Sequence, residues 1–232
     1  MPDTPLPLPG GIGLSRLCVY DSTGPDGLVG GTPHVHLCCT EAYAVTGGAG
    51  AVQTLTVDGI RETALRAGTV VWFAPGTVHR LVNGGDLRIV VLMQNGGLPE
   101  AGDAVLTLPP EHLADPAAYA LAAGPPADVA AAHRRRDLAV AGFTALRAGG
   151  APALERFYAA ALRLRRPLLD EWRRRWRDGA ASAAAATGEQ LDALARGDIT
   201  HLTRARLHAA PEPVERGRLG MCGLLDTYPA AR

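Results

Sequence analysis

The 232-residue sequence has no apolar run approaching the roughly 20 residues that a membrane-spanning helix needs. Its first residues, MPDTPLPLPGGIG, have neither the basic start nor the apolar segment of a signal peptide. With 47% apolar and 20% charged residues, the chain can bury one good core and carry a further element beside it. We therefore predict a globular, soluble protein located in the cytoplasm, with no membrane partner.

Cysteine and aromatic residues are also scarce, and lysine is absent. The four cysteines (Cys18, Cys38, Cys39 and Cys222) have no CxxC spacing, which argues against a zinc knuckle or a disulfide framework. They are expected to be reduced thiols. The 5% of aromatic residues argues mildly against a large flat aromatic ligand. All basic residues are arginine, which together with the abundant alanine indicates a coding bias rather than a function.

The net charge is zero, but the charges are unevenly distributed. Residues 1–132 carry 12 acidic and 5 basic groups, whereas residues 133–178 carry 5 acidic and 12 basic groups. Arginine clusters such as HRRRD raise the question of nucleic-acid binding, but they form one face of an amphipathic helix in a neutral chain. We therefore set nucleic acid aside and expect the basic segment to pack against the acidic half, within one chain or across a homodimer.

Short strands are predicted from Leu17 to Leu108, because apolar stretches alternate there with Gly, Asp-Gly, Pro-Gly and Gly-Gly turn signals. This regular spacing favours a β-sandwich or barrel. The stretch TLTVDGIRETAL predicts a hairpin with its turn at Asp58-Gly59. Residues 1–16 would form an N-terminal arm before the barrel.

Helices are predicted in the second half of the chain. Residues 109–132, rich in proline and alanine, should form a connector, residues 133–210 a helical region, and residues 211–232 an irregular tail.

An apolar stripe at spacings of three and four runs along the stretch 151–180. It includes Phe157, Leu162, Trp172 and Trp176, which we expect to be buried, because a stripe this long would otherwise leave a large exposed patch. Pro167 should kink this helix or begin a new one.

Two stretches carry closely spaced histidines. In GTPHVHLCCTEAY, His34 and His36 project to the same side of a strand, about 6–7 Å apart, and Glu41 follows. In GTVVWFAPGTVHRLVN, a glycine-led strand is followed by Pro-Gly, His79 and an asparagine. Together the stretches resemble the two sequence motifs of the cupin superfamily, of which the first is HxHxxxxE followed by a glycine. The resemblance covers about residues 17–108.

This resemblance implies a mainly β fold: a single cupin β-barrel, or double-stranded β-helix, followed by a helical C-terminal region. It also implies a divalent metal held by His34, His36, Glu41 and His79. Three imidazoles and one carboxylate suit Mn, Fe, Co, Ni or Zn and do not suit Ca or Mg. Four protein ligands leave an octahedral metal two open positions for substrate or water, which is the form of a catalytic site.

Other barrel residues are weaker candidates for the site. Because Glu41 lies at an odd separation from His36, a bend or bulge is expected near Cys39 and Thr40. By strand parity, Cys38 should follow the two histidines onto the inner face, as a small apolar filler. The residues that could line a pocket for a small-molecule ligand are Tyr43, Gln53, Trp72, Arg80, Arg88 and Gln94.

Three functions remain open, since one fold and one ligand set host many reactions. The first is a sugar isomerase or epimerase, because HRLVNGGDLRIVVLMQNGGLPEAGDAVL resembles the end of the cupin domain of mannose-phosphate isomerases. The second is an Fe(II)-dependent or other metal-dependent dioxygenase. The third is a non-catalytic sensor or carrier whose helical half reports binding.

Overall fold

The computed structural model describes residues 8–210 and 212–228, so the first seven residues of the predicted arm and parts of the predicted tail lie outside the described residues. The described strands are β1 (Gly13–Val19), β2 (His34–His36), β3 (Glu41–Thr56), β4 (Gly59–Arg66), β5 (Val70–Phe73), β6 (Val78–Met93), β7 (Ala104–Leu106), β8 (Glu215–Leu219) and β9 (Gly223–Thr227). The helices are α1 (Pro110–Ala114), α2 (Pro116–Ala123), α3 (Val129–Arg165), α4 (Leu169–Trp176), α5 (Ser182–Ala195) and α6 (Thr200–Thr203).

Two bent strands, β3 and β6, hold the barrel together. They pair antiparallel along almost their whole length, with register shifts between Val45 and Gly50. On one side of the bend, β5, β1, β9 and β8 extend the sheet, and on the other side β4, β2 and β7 do so. Two antiparallel faces that share their central strands enclose one core, as in a double-stranded β-helix, so the predicted fold class is confirmed.

The bend in β3 explains why the sequence pattern divides each long strand into two. Gly48 has a φ of +68°, and a Cβ atom added there would lie 2.0 Å from the carbonyl oxygen of Asp86 on β6. Only glycine allows both the conformation and the close approach. The glycine-rich segments are therefore bends within strands, whereas the hairpin predicted at Asp58-Gly59 is present, with Gly59 at φ +104°.

The helices cover one face of the barrel. As expected, the segment around Pro167 separates α3 from α4, with a short 3₁₀ turn over Arg166–Leu168. Helix α3 breaks at Gly150 (φ +61°, ψ −155°), so its two halves run in different directions. Within the described residues, no helix combines the length and apolar character required to cross a membrane.

Burial of the predicted apolar stripe is only partly confirmed. Phe157 packs in the cluster between the helices and the barrel, and Trp172 packs against the barrel core while its indole N–H donates to the Ala101 carbonyl (3.0 Å). Leu162 and Trp176 are instead 54% and 47% exposed. The buried face is narrower than the stripe, because successive helix positions are rotated by about 100°.

The expectation of an irregular C-terminal tail is wrong. Strands β8 and β9 form a hairpin, and β9 pairs antiparallel with β1, with Leu225 opposite Leu17. The charged residues of β8 are exposed, so this strand lacks the apolar alternation by which strands are recognised in sequence. The hairpin extends the barrel wall and brings Met221 and Cys222 towards the interior.

An ion pair with a buried arginine anchors the loop between β1 and β2. Arg80 of β6 is fully buried, and its guanidinium binds both carboxylate oxygens of Asp26, whose side chain is partly exposed. Burial by itself raises the pKa of Asp26, but the hydrogen bond and charge of Arg80 outweigh it and hold the pKa below its usual value.

We expect Asp26→Asn to lower the free energy of unfolding by about 1–3 kcal/mol at neutral pH, because it leaves the Arg80 charge buried without a carboxylate. A depressed carboxyl pKa stabilises the fold above the unfolded value of about 3.9, and this contribution is lost as pH falls through the lower folded value. Urea denaturation at a series of pH values tests this. The difference between wild type and variant should shrink in acid, and a constant difference would contradict the assignment.

Candidate metal centre

Four side chains from three strands converge inside the barrel. His34 and His36 lie on β2, Glu41 begins β3, and His79 lies on β6 directly opposite His34 in the strand register. All four are buried, and one ligand-type atom from each lies within 4.8 Å of all the others. Glu41 Oε2 is 3.0 Å from His79 Nε2 and 3.4 Å from His36 Nε2, and the Nε2 atoms of His34 and His79 are 3.0 Å apart.

Each imidazole is oriented by an oxygen on its outer side. His34 Nδ1 lies 2.9 Å from the Thr32 carbonyl oxygen, and His79 Nδ1 lies 3.0 Å from the Thr77 carbonyl oxygen. His36 Nδ1 lies 2.9 Å from Asp103 Oδ2. These oxygens only accept, so each Nδ1 carries the hydrogen and the Nε2 lone pair faces inward. This is the tautomer that a metal ligand requires.

The inward-facing atoms fit a cation. Within the described part of the chain, Glu41 Oε2 is buried and accepts no hydrogen bond. With both Nδ1 atoms protonated, His34 and His79 have no hydrogen to place between their Nε2 atoms unless one ring takes up a second proton. Buried polar atoms without a hydrogen-bond partner lower the stability of a folded protein. A divalent metal bound by three imidazoles and one carboxylate would satisfy all of them.

The electrostatics favour the protonation states of metal ligands at two of these residues. Burial by itself raises the pKa of Glu41, but the three histidines, His79 foremost, lower it to about 2. Burial lowers the pKa of His34 well below its usual value. Burial also opposes the charged form of His36, but the carboxylates of Asp103 and Glu41 raise its pKa overall.

Asp103 contacts His36 on the side of the imidazole that faces away from the cluster, and the sequence analysis did not identify it. It is fully buried; Oδ2 faces His36, while Oδ1 accepts from the backbone N–H groups of Leu37 (3.1 Å) and Cys38 (2.7 Å). The chain turns at these two residues, which returns Glu41 to the histidines. The acidic turn in GLPEAGDAVL was the available signal.

The bend therefore lies slightly before the position expected from sequence, and this changes the position of Cys38. Strand β2 ends at His36, so strand parity does not extend to Cys38, which is exposed. Cys39 is buried instead. The expectation that Cys38 lies on the inner face is wrong.

Three of the four side chains, those of His34, His36 and Glu41, line a cavity of about 160 Å³. Of the expected pocket residues, Tyr43 lines this cavity, and its side chain is almost fully buried. The structure places the others elsewhere: Gln53 bonds Glu62 on the outer face, Trp72 is 72% exposed, Arg80 pairs with Asp26, Arg88 pairs with Asp86, and Gln94 accepts from the Thr40 N–H.

Strand alternation explains two of these positions. Trp72 pairs with Ala42, whose side chain points away from the cavity because that of Tyr43 points into it. Gln53 lies beyond the register shifts in β3, which interrupt the alternation that relates it to Glu41. Parity counted along a strand holds only as far as its first bulge.

The C-terminal hairpin supplies much of the cavity wall, which the sequence analysis missed. Its lining residues include Arg218, Met221, Cys222 and Leu225. Burial, with a smaller contribution from the Glu41 charge, raises the pKa of Cys222 to about 12, and burial raises that of Tyr43 well above its usual value. Both side chains are therefore protonated at neutral pH.

Comparison with known proteins found no matching protein-family model and no significant match among curated proteins. Solved structures do match. They include oxalate oxidase (23% identity, 36% of this chain and 42% of that chain, TM-score 0.31). Others are an uncharacterised double-stranded β-helix protein of Klebsiella pneumoniae (18%, 40% and 79%, TM-score 0.30) and a predicted oxalate decarboxylase of Thermotoga maritima (18%, 35% and 64%, TM-score 0.29). The chain spans less than half of the oxalate oxidase.

The strand topology and the side chains at its centre define the class of this fold. Two faces joined by the bent strands β3 and β6 enclose a buried cluster of three histidines and one glutamate. The chain has the cupin fold, with a helical C-terminal region and a candidate centre for a divalent metal.

Proposed function

We propose that the protein is a metal-dependent enzyme of the dioxygenase type that acts on a small molecule. The observation that carries this proposal is the cavity lined by His34, His36 and Glu41, three members of the buried cluster that His79 completes. A bound redox-active metal such as Fe(II) would supply two open positions at which oxygen and substrate can meet.

The size of the cavity limits the substrate. A cavity of about 150 Å³ holds a molecule the size of benzene, so about 160 Å³ suits a compact substrate or the compact reacting end of a larger one. Its wall combines apolar side chains, such as Leu17 and Met93, with the Tyr43 side chain. The apolar wall would limit water at the centre.

Deep in the cavity, beside the cluster, the side chains include no suitable general base to remove a proton from a substrate C–H bond. An isomerase or epimerase needs a general base within reach of the C–H bond that it breaks. Tyr43 and Cys222 are protonated at neutral pH, and the four candidate ligands would be committed to the metal. Chemistry driven by oxygen does not depend on such a base to the same degree, which favours the dioxygenase alternative.

One observation keeps sugar isomerase or epimerase activity as a second candidate. Glu100, an exposed carboxylate, also lines the cavity. If a substrate C–H bond were presented to it, Glu100 would serve as the general base, while the metal would hold adjacent substrate oxygens. This candidate depends on a single residue that can be replaced without altering the cluster.

Metal exchange with oxygen measurement distinguishes the candidates. The protein is prepared metal-free, loaded with Fe(II) or Zn(II), and assayed for oxygen uptake and product formation with a panel of small hydroxy and keto compounds. We expect oxygen uptake by the Fe(II)-loaded protein and none by the Zn(II)-loaded protein, because zinc has no redox chemistry. Turnover with zinc that Glu100→Gln abolishes would favour the isomerase. Ligand-dependent thermal stabilisation without turnover of any compound would favour a non-catalytic sensor or carrier.

A further inference from the structure

A second, larger cavity of about 790 Å³ lies beside the C-terminal hairpin. Helix α2, both halves of the broken helix α3 and the β8–β9 hairpin surround it. Three arginines contribute to its lining: Arg135 from the first half of α3, Arg165 from the second half, and Arg218 from β8. Its volume falls in the usual range for small-molecule sites.

Arg135 is a buried cation with no acidic partner among the described residues. Its side chain donates to two backbone carbonyls, those of Gly124 (3.0 Å) and Gly220 (2.7 Å), and its Nε–H is buried without an acceptor. Burial lowers the pKa of Arg135, and the groups that counteract this are Tyr20, Cys222 and Tyr119, none of which is a carboxylic acid. Buried arginines are ordinarily paired with a carboxylate.

Arg165, on the other side of the cavity, is half-buried and likewise has no acidic partner among the described residues. It donates to the Ala104 carbonyl (2.9 Å) and to the Tyr119 hydroxyl (3.3 Å), and its Nε–H is also buried without an acceptor. The guanidinium lies over the Tyr119 ring, 4.9 Å from its centroid. Because the Tyr119 hydroxyl also accepts from the Leu106 N–H, its own hydrogen remains available to a ligand.

Two carboxylates line the cavity but do not neutralise these arginines. Glu100 accepts from the Gly97 N–H (2.9 Å), and Glu215 pairs with Arg218 (3.4 Å). Within the described part of the chain, no acidic group forms an ion pair with Arg135 or Arg165. The cavity therefore retains positive charge on two sides.

We propose that this cavity binds an oxyanion, the phosphate or carboxylate group of a small ligand, between Arg135 and Arg165. Guanidinium groups present paired N–H donors that match the oxygens of both groups. An anion would also offset the buried charge, which backbone carbonyls cannot do fully. None of the four candidate metal ligands lines this cavity, so the site does not depend on the proposed function, although Pro99, Glu100, Arg218, Met221 and Leu225 line both cavities.

Binding of inorganic phosphate and of acetate to the metal-free full-length chain tests this proposal, with sodium chloride holding ionic strength constant. We expect a saturable rise in melting temperature, since a ligand bound only to the folded state stabilises it. Isothermal titration of Arg165→Gln should show affinity reduced by about 10- to 100-fold. Arg165→Lys, which keeps the charge but not the paired donors, should fall between. Arg88→Gln, at an exposed arginine outside the cavity, is the matched control.

The outcomes separate clearly. Tighter binding of phosphate than of acetate would identify phosphate as the favoured group, and the reverse order would identify carboxylate. Equal behaviour of phosphate, acetate and chloride would overturn the proposal, as would unchanged phosphate affinity in Arg165→Gln. Arg135 bonds the backbone of two loops, so the variant Arg135→Gln is not used as the deciding test, because it can fail to fold. Arg165 is only half-buried, so Arg165→Gln by itself tests the proposal.

Discussion

Replacement of His79 by alanine is expected to abolish stoichiometric metal binding and the metal-dependent rise in melting temperature. His79 Nε2 lies 3.0 Å from both His34 Nε2 and Glu41 Oε2, so its removal opens the centre of the cluster. A metal that binds only the folded state stabilises it by mass action, so lost affinity appears as lost stabilisation. Metal analysis of the purified protein and thermal denaturation with and without added metal measure both quantities.

The matched control is His112→Ala, which lies on α1 outside the cluster and should change neither quantity. His34→Ala should behave like His79→Ala, because the two residues face each other across paired strands. If both variants kept full metal stoichiometry and the same metal-dependent stabilisation, these histidines would not be the ligands, and the proposed enzyme functions would fall with them.

Replacement of Asp103 by asparagine should weaken metal binding by about 10- to 100-fold, the usual effect of losing a residue that orients a ligand. Asp103 accepts from His36 Nδ1 and from two backbone N–H groups. An asparagine side chain has only one accepting atom, so it cannot serve His36 and the turn together. We also expect the metal-free protein to lose about 2–4 kcal/mol of unfolding free energy.

Two readouts separate positioning of His36 from general stabilisation. Metal titration reports affinity in protein that is still folded, and urea denaturation reports stability without metal. Asp86→Asn, at an exposed carboxylate on the barrel surface, is the control and should leave both unchanged. Unchanged metal affinity in Asp103→Asn, with or without a loss of stability, would show that Asp103 has only a structural role.

Short-range patterns in the sequence predicted the barrel, and the resemblance of two such patterns to the cupin motifs predicted the histidine cluster. His34 and His36 lie two residues apart on one strand, and strand alternation alone places them on one side. The glycine-led stretch before His79 and the Asp58-Gly59 hairpin are likewise local signals. Features of this kind survive in the folded protein because neighbouring residues determine them.

Features that depend on long-range packing were missed. Asp103 reaches His36 across 67 positions in the sequence, and the acidic turn that contains it does not identify His36 as its partner. The bulges in β3 changed the face on which Gln53 lies, and they arise from the fit of Gly48 against β6. The C-terminal strands escaped notice because β8 is charged and exposed, and its stability comes from pairing with β9.

The pairing of β9 with β1 also bears on how the protein folds. Leu225 lies opposite Leu17, and the N–H of Tyr20 donates to the Cys222 carbonyl, so these contacts join residues some 200 positions apart. Contacts of such separation close a long loop, with a high entropic barrier, and structures that depend on them fold slowly. The wall beside Cys222 should therefore form late, after the hairpin of β3 and β4 and the helices, which rest on local contacts. An early folding intermediate would have an open barrel, with its histidines still accessible to solvent.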